Sequence, residues 1–509
     1  MMSRRWAAAL FTISLASIPL SAGAQVAVPR QLSLAQAIEL ARANSPTYRQ
    51  SQANAEPAAA AVKAAEWARL PVLSASGGLG YTGAGSSSFG GGFTFNQTSA
   101  TLSSNYRLSA SWNLNSRTFI TPGIQRADQK ATEEEIAAAG VTLVNSVTTQ
   151  YLVALRAAAV VRVAVQQLAR DTQFLALAQA RQANGQATLI DVLSAQTALA
   201  SASVQLLQSQ QSATQAKIEL VRQLGLQADA NVDAVTLSEP FALVEPKFEL
   251  GTLLTTAHDA NPSIKAVEHR ERASELSVKA ARSDRLPSFS LSTGLSGYTQ
   301  QSTNESALIN NAVLSAQGQE ANCAFQNEIL SRLTSPIPGA IIADCKAYAG
   351  LDNSGNALLP AGVSAIHTRN SVFPFNFTKQ PMSVSFGVSL PIWDGYSTSL
   401  RITQASAGLD QARESVRAQR LQTDAQIQGQ LLAVKTAWAR LQIQDRNRAT
   451  AQQQLQLAQD RYRIGNGTAL EIADAQNAVT QSEVDYVTAT YDYHTAVAGL
   501  EAAVGRPLR

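Results

Sequence analysis

The stretch RYRIGNGTALEIADA, residues 461–475, decides how the rest of the chain is interpreted. Gly465 and Gly467 provide the backbone freedom that ends a helix. Thr468, followed three positions later by Glu471, is typical of a capping box at the start of a new helix. Long, polar and alanine-rich sequence flanks the stretch on both sides. The stretch therefore predicts the bend of a helical hairpin, with its tip at residues 462–468.

The same bend occurs earlier as RQANGQATLIDVLSA, residues 181–195. Its Gly185, Thr188 and Asp191 each have a counterpart 280 positions later, and its tip is predicted at residues 182–188. Nearer the start of the chain, an Arg-Leu-Pro motif and a Lys-Ala-Ala motif each recur 216 positions later. Two sets of matches at different offsets predict an internal duplication with an insertion in the second copy.

The duplication divides the chain into two predicted repeats, at residues 25–247 and 248–509, and places the insertion at residues 301–380. Residues 1–24 precede the repeats and are typical of a secretory signal, with Arg4 and Arg5 before an apolar run and a small-residue cleavage site. A membrane anchor is the alternative, which the shortness of the apolar run disfavours. We therefore expect the mature chain to leave the cytoplasm.

Composition narrows the class of protein. Charged residues make up 15% and aromatic residues 6% of the chain, which favours long helices packed through small residues. A formal net charge of +3 over 509 residues gives no reason to expect a nucleic-acid partner. Beyond the signal we find no long uninterrupted apolar run, so no membrane-spanning helix is expected. Spanning strands remain possible, because alternation hides their apolar residues.

Alternation of apolar and polar residues predicts four strands long enough to cross a bilayer. They lie at residues 71–82, 101–115, 287–298 and 382–393. In the second, every other residue from Tyr106 to Trp112 is apolar, whereas Asn105, Arg107 and serines form the other face. A half-buried strand of a soluble sheet has the same period and is the alternative. The small hydroxylated polar face, with Trp112 and Trp393 at strand ends, favours lipid.

Four strands per chain are too few to close a barrel, and open strand edges are not tolerated in hydrocarbon. Membrane-spanning strands would therefore require several copies of the chain, in a number that the strand count alone leaves open. After the second and the fourth strand, the helical patterns at residues 117–184 and 397–464 predict helices of about 100 Å each. A free-standing coiled coil is the alternative, but it would not explain the interleaved strands.

The insertion is rich in Asn, Ser, Gly and Pro and contains both cysteines, Cys323 and Cys345. An exported protein meets oxidising conditions, so a disulfide between them is expected, with two free thiols as the alternative. We expect this insertion and its shorter counterpart, residues 83–100, to face the cell exterior.

The sequence contains no convincing motif for catalysis or metal binding. A glycine pattern at residues 78–83 matches the dinucleotide fingerprint, but more serines and glycines follow where a helix is required. The four histidines lack metal-ligand spacing. We predict no enzyme, no metal site and no cofactor. Glu471 and Asp474, which follow the second bend, and Asp191, which follows the first, remain candidates, although acids in a first helical turn often only favour the helix dipole.

The order of these features resembles the TolC family of outer-membrane efflux and secretion channels. The resemblance rests on the duplicated strand–strand–helix–hairpin unit, on PIWDG at residues 391–395 and on the bend at residues 461–475, and it covers essentially the whole mature chain. It implies a mostly α-helical homotrimer with membrane β-structure. Four strands from each protomer would form a twelve-stranded barrel, and the long coiled helices a twelve-helix periplasmic tunnel closed at its tip.

The resemblance also implies roles for single residues. Glu471 and Asp474 correspond to the acids of the tip constriction, and Tyr462, with Asp191, to a tip latch. Some members have a tethering arginine where this chain has Gly467. Family members meet a periplasmic membrane-fusion adaptor and an inner-membrane pump of the RND, ABC or MFS type, and they lie in outer-membrane lipid.

We therefore expect a passive exit duct of a tripartite efflux or type I secretion system, located in the outer membrane with its tunnel in the periplasm. A general diffusion porin would have more strands in one chain and lack the long helices. A periplasmic adaptor would have one hairpin and lack the membrane-length strands. A trimeric exported coiled-coil surface protein would lack the alternating lipid face. The sequence leaves open whether the cargo is a drug, a metal, a polypeptide or a polysaccharide.

Overall fold

A computed structural model describes residues 31–89, 93–97, 99–227, 235–238, 241–333, 342–378 and 380–508. The predicted signal, residues 1–24, lies outside the described residues. The chain forms two compact units. The helical unit comprises Met1–Val62, Ile124–Glu275 and Ser406–Arg509, and the strand unit comprises Lys63–Gly123 and Leu276–Ala405. Each unit therefore draws on both halves of the chain.

Helices make up most of the described chain. They are α1 Leu34–Asn44, α2 Pro46–Ala53, α3 Ala55–Trp67, α4 Ser116–Ala183, α5 Leu189–Gln223, α6 Leu250–Ala260, α7 Pro262–Ser283, α8 Glu305–Ser331, α9 Cys345–Tyr348, α10 Pro360–Asn370, α11 Ser397–Arg463 and α12 Ala469–Val504. The strands are β1 Gln31–Leu32, β2 Val72–Thr82, β3 Gly85–Phe89, β4 Phe93–Gln97, β5 Thr101–Leu114, β6 Thr236–Leu237, β7 Ser288–Ser302 and β8 Ser383–Ser389. The long helices α4 and α11 contain 68 and 67 residues, close to the lengths predicted from the sequence.

Two prolines lie within helical segments, and only one of them interrupts the helix. The segment Pro46–Trp67 is divided at Asn54 into α2 and α3. Pro57 explains the division, because proline cannot donate the backbone hydrogen bond of a helix interior and its ring clashes with the carbonyl four residues earlier. Pro122 is the seventh residue of α4, and the helix continues past it.

The helical unit is held together by apolar and small residues. Tyr151 of α4 is fully buried with Leu220 of α5, and its hydroxyl donates a hydrogen bond of 2.8 Å to the Leu32 carbonyl. Helices α4 and α5 contain 18-residue windows with mean hydropathies of 1.5 and 1.2, apolar enough to cross a membrane by length and composition, where we expected no such helix. The apolar residues Leu143 and Val147 pack in this same core, so packing between helices explains part of that composition.

The strand unit contains a four-stranded antiparallel sheet in the order β2-β5-β7-β8. Its register places Ala75, Leu108 and Leu295 in one row across three strands, and this row continues the apolar face predicted for each strand. Serines occupy the opposite face, where the Ser74 and Ser109 hydroxyls are 2.8 Å apart. Among the described residues this sheet is open, with β2 and β8 at its edges.

Two strands differ in length from the prediction. The third, β7, continues to Ser302, beyond the predicted end at residue 298. The fourth, β8, ends at Ser389 rather than at residue 393. Pro391 lacks the N–H group that would extend the ladder, so Ile392 and Trp393 lie beyond the strand and are strongly exposed.

The insertion contains more regular structure than its composition predicts. Its first part is α8, a helix of 27 residues that begins where the Asn304 side chain accepts a hydrogen bond from the Ala307 N–H. A disulfide joins Cys323 of α8 to Cys345 of α9. Asn370 at the end of α10 exchanges two hydrogen bonds, of 2.7 and 2.9 Å, with the backbone of Ser302 in β7. The insertion is therefore anchored to one end of the sheet. Residues 83–100, the shorter counterpart of the insertion, contain the antiparallel strand pair β3–β4.

Candidate functional site

The candidate site is built at the two hairpin tips, where duplicated residues form duplicated turns. Gly185 and Gly465 have positive φ angles of 69° and 86°, which end α4 and α11. In each turn the N–H five residues after the arginine donates to the arginine carbonyl, from Gln186 to Arg181 and from Asn466 to Arg461, both at 2.9 Å. The two tips therefore share one backbone design.

Gly467 occupies the position at which some members of the TolC family have a tethering arginine. A Cβ atom added to Gly467 would lie 2.9 Å from the backbone nitrogen of Tyr462 and 3.1 Å from the carbonyl carbon of Arg461. Real Cβ atoms essentially never approach backbone this closely. Close packing of the turn therefore requires glycine at this position.

The helices after the two tips begin differently. In the first, the Thr188 hydroxyl accepts from the Asp191 N–H at 3.3 Å while the Asp191 carboxylate accepts from the Thr188 N–H at 2.8 Å, a complete capping box. In the second, the Thr468 hydroxyl accepts from the Glu471 N–H at 3.2 Å. The Glu471 carboxylate lies instead 3.5 Å from the Arg461 guanidinium. The predicted capping box at the second tip is thus formed only in half, because Arg461 competes for the acid.

Tyr462 is buried at the second tip, with 3% of its surface exposed. Its ring meets Phe174 of α4 edge-on at 6.0 Å, and the Arg181 guanidinium covers it at 4.2 Å from the ring centre. Arg181 also donates a hydrogen bond to the Tyr462 carbonyl. A cation over an aromatic face is attractive, and more so when water is excluded. One arginine therefore holds the two hairpins of a chain together.

The environment of Tyr462 also affects its hydroxyl. Burial raises the pKa of Tyr462, and the negative charge of Asp191 raises it further, while the positive charge of Arg181 lowers it. A side-chain hydrogen bond with Arg181 also lowers the pKa of this hydroxyl. The latch expected between Tyr462 and Asp191 is not a direct hydrogen bond in the described structure, since the Asp191 carboxylate is engaged by Thr188. It stays a prediction for other states of the tip.

Sequence reasoning missed Arg181, although the sequence contained a signal for it. Arg181 begins the first bend, and its counterpart 280 positions later is Arg461. Only the folded chain shows that the two arginines have different partners. Farther along α4, Arg170 pairs with Glu483 of α12 at 3.2 Å and bonds Thr480 at 3.0 Å, a second link between the hairpins.

The predicted constriction acids lie at the surface of a single chain. Glu471 is half-buried beside Arg461, and Asp474, one turn farther along α12, is exposed. In the part of the chain that the structure describes, no group of three or more His, Cys, Asp or Glu side chains is placed to hold a metal ion. The tip therefore offers carboxylates, an arginine–aromatic contact and apolar surface, and these groups can attract cations and hold helices in position.

The sequence matches the family described as Outer membrane efflux protein over residues 37–226 and 356–506, which is more than half of the chain. This chain belongs to the outer membrane efflux protein family. The match confirms the resemblance stated from the sequence and places the protein in the outer membrane as a component of efflux transport. Most of the insertion falls outside the matched residues.

Solved structures of outer-membrane channels share the fold of this outer membrane efflux protein. The OprN channel matches with a TM-score of 0.65 and 19% identity over 93% of this chain and 90% of that one. VceC of Vibrio cholerae matches with a TM-score of 0.64 and 17% identity over 94% and 97% of the two chains. The open state of MtrE of Neisseria gonorrhoeae matches with a TM-score of 0.63 and 17% identity over 94% of this chain and 89% of that one. Comparison with curated proteins gives no significant match.

Proposed function

We propose that this outer membrane efflux protein is a homotrimeric channel-tunnel and the passive exit duct of a tripartite efflux or type I secretion system. The observation that carries the proposal is the open sheet β2-β5-β7-β8, whose two faces differ sharply in polarity. One face carries exposed Leu73, Leu108, Phe386 and Val384, and the other carries serines, glycines and asparagines. This division is that of barrel strands with lipid on one side and water on the other.

An open sheet with such a face needs partners. The backbone groups of β2 and β8 at the sheet edges would be unsatisfied in hydrocarbon, at a cost of several kcal/mol for each group. Three copies would pair β8 of each chain with β2 of the next and close a twelve-stranded barrel. The copy number follows from the resemblance to the TolC family, and closure follows from the chemistry of the edges.

The helical unit also presents surface suited to a second copy. Leu421, Leu432 and Ile443 of α11 are spaced by 11 residues and are 60%, 66% and 57% exposed. A spacing of 11 residues keeps side chains on one face of a nearly straight helix. A trimer would bury this stripe against the helices of a neighbouring protomer and form the periplasmic tunnel. The insertion, 301–380, and residues 83–100 would then lie outside the cell.

At the far end of the tunnel, the tips of three chains would surround one axis. Glu471 and Asp474 would form a ring of carboxylates there, and contacts such as that of Arg181 with Tyr462 would keep the mouth narrow. Exposed apolar side chains at the tips, among them Ile190, Ile464 and Leu470, suit a periplasmic adaptor that connects the duct to an inner-membrane pump. The cargo class would be set by that pump.

Site-directed crosslinking in cells tests this arrangement. A Gln186→Cys variant presents a thiol at the first tip, and a Gln319→Cys variant presents one on the exposed side of α8. The native cysteines are paired with each other, so each variant has one free thiol. With a bifunctional reagent, the tip thiol should capture a periplasmic adaptor, identified by mass spectrometry, and the α8 thiol should not. Equal capture by both positions, or capture of no envelope protein at the tip, would contradict the proposal.

A further inference from the structure

The four strands of the membrane sheet contain one charged residue, Arg107, near the middle of β5. We propose that three copies of Arg107 form a positively charged ring inside the barrel, which draws anionic solutes, polyvalent ones above all, into the outer-membrane part of the duct. The inference rests on the proposed trimeric barrel and goes beyond it, since it assigns a charge preference to a segment that the family resemblance left without a functional residue.

The position of Arg107 follows from the strand register. Arg107 lies opposite Ser76 of β2 and Ser296 of β7, and the same face of β5 continues with Asn105 and Ser109. It is the seventh of the 14 residues of β5, about 20 Å along the strand from Thr101. Arg107 therefore lies deep in the membrane segment and on the polar face of the sheet.

Energetics identify the polar face as the wet one. An arginine at the bilayer midplane costs roughly 2–4 kcal/mol when it faces lipid. The opposite face of the same strand carries Tyr106 and Leu108, which suit lipid. Arg107 would therefore face a water-filled lumen, where its charge is tolerated and can act on passing solutes.

Nothing in the described chain neutralises this charge. Arg107 is exposed, and its guanidinium has no hydrogen bond or ion pair within the described residues. Its cross-strand neighbours Ser76 and Ser296 are small and uncharged, and the described membrane strands contain no carboxylate. Three such residues at one height, in a pore with low-dielectric walls, would produce the focused field by which rings of Arg or Lys favour anions.

The chemistry of the ring defines what it would attract. Each guanidinium presents a planar set of N–H donors that matches phosphate and carboxylate groups, and serine hydroxyls beside it can donate further hydrogen bonds. Phosphate-bearing or polycarboxylate solutes are therefore the favoured class. The charge of this ring is opposite in sign to that of Glu471 and Asp474.

A thiol next to the ring measures the local potential directly. The chain offers a clean background, because Cys323 and Cys345 are joined and leave no free thiol. In a Ser76→Cys variant, we compare the rates of modification by an anionic and a cationic methanethiosulfonate reagent of similar size. The same pair of rates is then measured in Ser76→Cys combined with R107Q and in Ser76→Cys combined with R107K. The protein is the detergent-solubilised full-length assembly.

The expected result is a preference for the anionic reagent that falls on the order of tenfold in R107Q and is restored in R107K, as a potential of a few kT requires. Ser290→Cys is the matched control. It lies on the same face, about 20 Å along β7 from Ser296, beyond the Debye length of about 8 Å at physiological salt. Its rate ratio should not change with R107Q.

Inorganic triphosphate adds a test of the ligand class. It should slow modification of the Ser76→Cys thiol by the anionic reagent when Arg107 is present and have no effect in R107Q. If the ratio of the anionic to the cationic modification rate is the same with Arg107 and with R107Q, the proposed ring is wrong. If triphosphate gives no protection, the proposed binding of anions is wrong. A thiol at residue 76 that reacts with neither reagent until the protein is denatured would show that this face is dry, which would overturn the barrel itself.

Discussion

The guanidinium carbon of Arg181 lies 4.2 Å from the centre of the Tyr462 ring, so a residue of the first hairpin covers a buried residue of the second. The same arginine donates a hydrogen bond to the Tyr462 carbonyl. Each of the two duplicated arginines also bonds a backbone carbonyl of its own tip, Arg181 that of Gln186 and Arg461 that of Asn466. Within the described residues, the charged partner of Arg461 is Glu471 of its own hairpin. Duplication thus supplied two arginines, and one of them connects the hairpins.

Replacement of Arg181 should loosen the tip. An Arg181→Gln variant loses a cation–π contact of about 0.5–2 kcal/mol and a charged hydrogen bond of about 1.5–3 kcal/mol, so the hairpins should separate more readily. We expect its single-channel conductance in a planar bilayer to rise severalfold. Arg461→Gln is the matched control and should leave the size of the conductance near that of the wild type. A conductance that Arg181→Gln leaves unchanged would show that Arg181 only fills space beside Tyr462.

Replacement of the tip acids should change charge selection without opening the tunnel. Carboxylates gathered at a narrow mouth attract cations and disfavour one another's ionisation. The wild-type channel should therefore prefer cations and be blocked by polyvalent cations from the periplasmic side. Glu471→Ala combined with Asp474→Ala should weaken that block on the order of tenfold or more while the trimer remains assembled.

Acids of the insertion provide the control for this experiment. Glu328 pairs with Arg332 on α8, and Glu305 pairs with His367 at 2.9 Å. Substitution of either by glutamine should leave block from the periplasmic side unchanged. If the double alanine variant keeps the wild-type block and selectivity, Glu471 and Asp474 act only as helix-start residues, and the constriction lies elsewhere.

Sequence reasoning anticipated elements whose signals are local. Glycine, threonine and an acid in order define each hairpin bend, and the structure ends α4 and α11 within a residue of the predicted helix ends. Alternation likewise defined β5 from Thr101. In these places, local backbone preferences and packing favour the same conformation, so the printed sequence suffices.

Features that depend on contacts between residues far apart in the chain could not be predicted from the sequence. The contact of Arg181 with Tyr462 joins residues 281 positions apart, and no local pattern reports it. Helix α8 was missed because Asn, Ser and Gly lower helix propensity, whereas the Asn304 cap and the Cys323–Cys345 bond support the helix in the fold. The half-formed cap at Thr468 was missed because Arg461, across the turn, competes for Glu471.

Assembly is open to direct measurement. Detergent-extracted protein should be a trimer, because the β2 and β8 edges of each open sheet need partners. Native mass spectrometry or light scattering corrected for detergent gives the copy number. A stable monomer that retains its full strand content by circular dichroism would contradict the barrel, and a different copy number would contradict the trimer alone.

The disulfide of the insertion should be present in exported protein. Thiol labelling of unreduced, denatured protein should find neither Cys323 nor Cys345 free. Closure of a loop with a sequence separation of 22 can stabilise the folded segment by about 3 kcal/mol on a chain-entropy estimate. The double replacement by serine should therefore speed hydrogen exchange in α8 and α9, while exchange in α4 and α12 serves as the control. Efficient labelling of both native cysteines would refute the bond.

Asp171 should make the helical unit less stable at neutral pH. It is 4% exposed in α4, and burial raises its pKa above the ordinary value of 3.8, although Arg170 and a hydrogen bond from Gln167 oppose the shift. Between 3.8 and the raised pKa, the folded state holds a proton that the unfolded state releases, so stability falls as pH rises through this window. Below this window the carboxyl is protonated in both the folded and the unfolded state, so its ionisation no longer lowers the stability of the folded state.

An Asp171→Asn variant should remove this penalty. Its thermal midpoint should exceed that of the wild type at pH 7, and the gain should shrink as the pH falls towards 3.8, where the wild-type carboxyl is also neutral. Asp410→Asn on α11, whose side chain is 74% exposed, is the control and should gain nothing at neutral pH. A gain at residue 171 that is the same at every pH would come from packing or hydrogen bonding, because only an ionisation penalty varies with proton concentration.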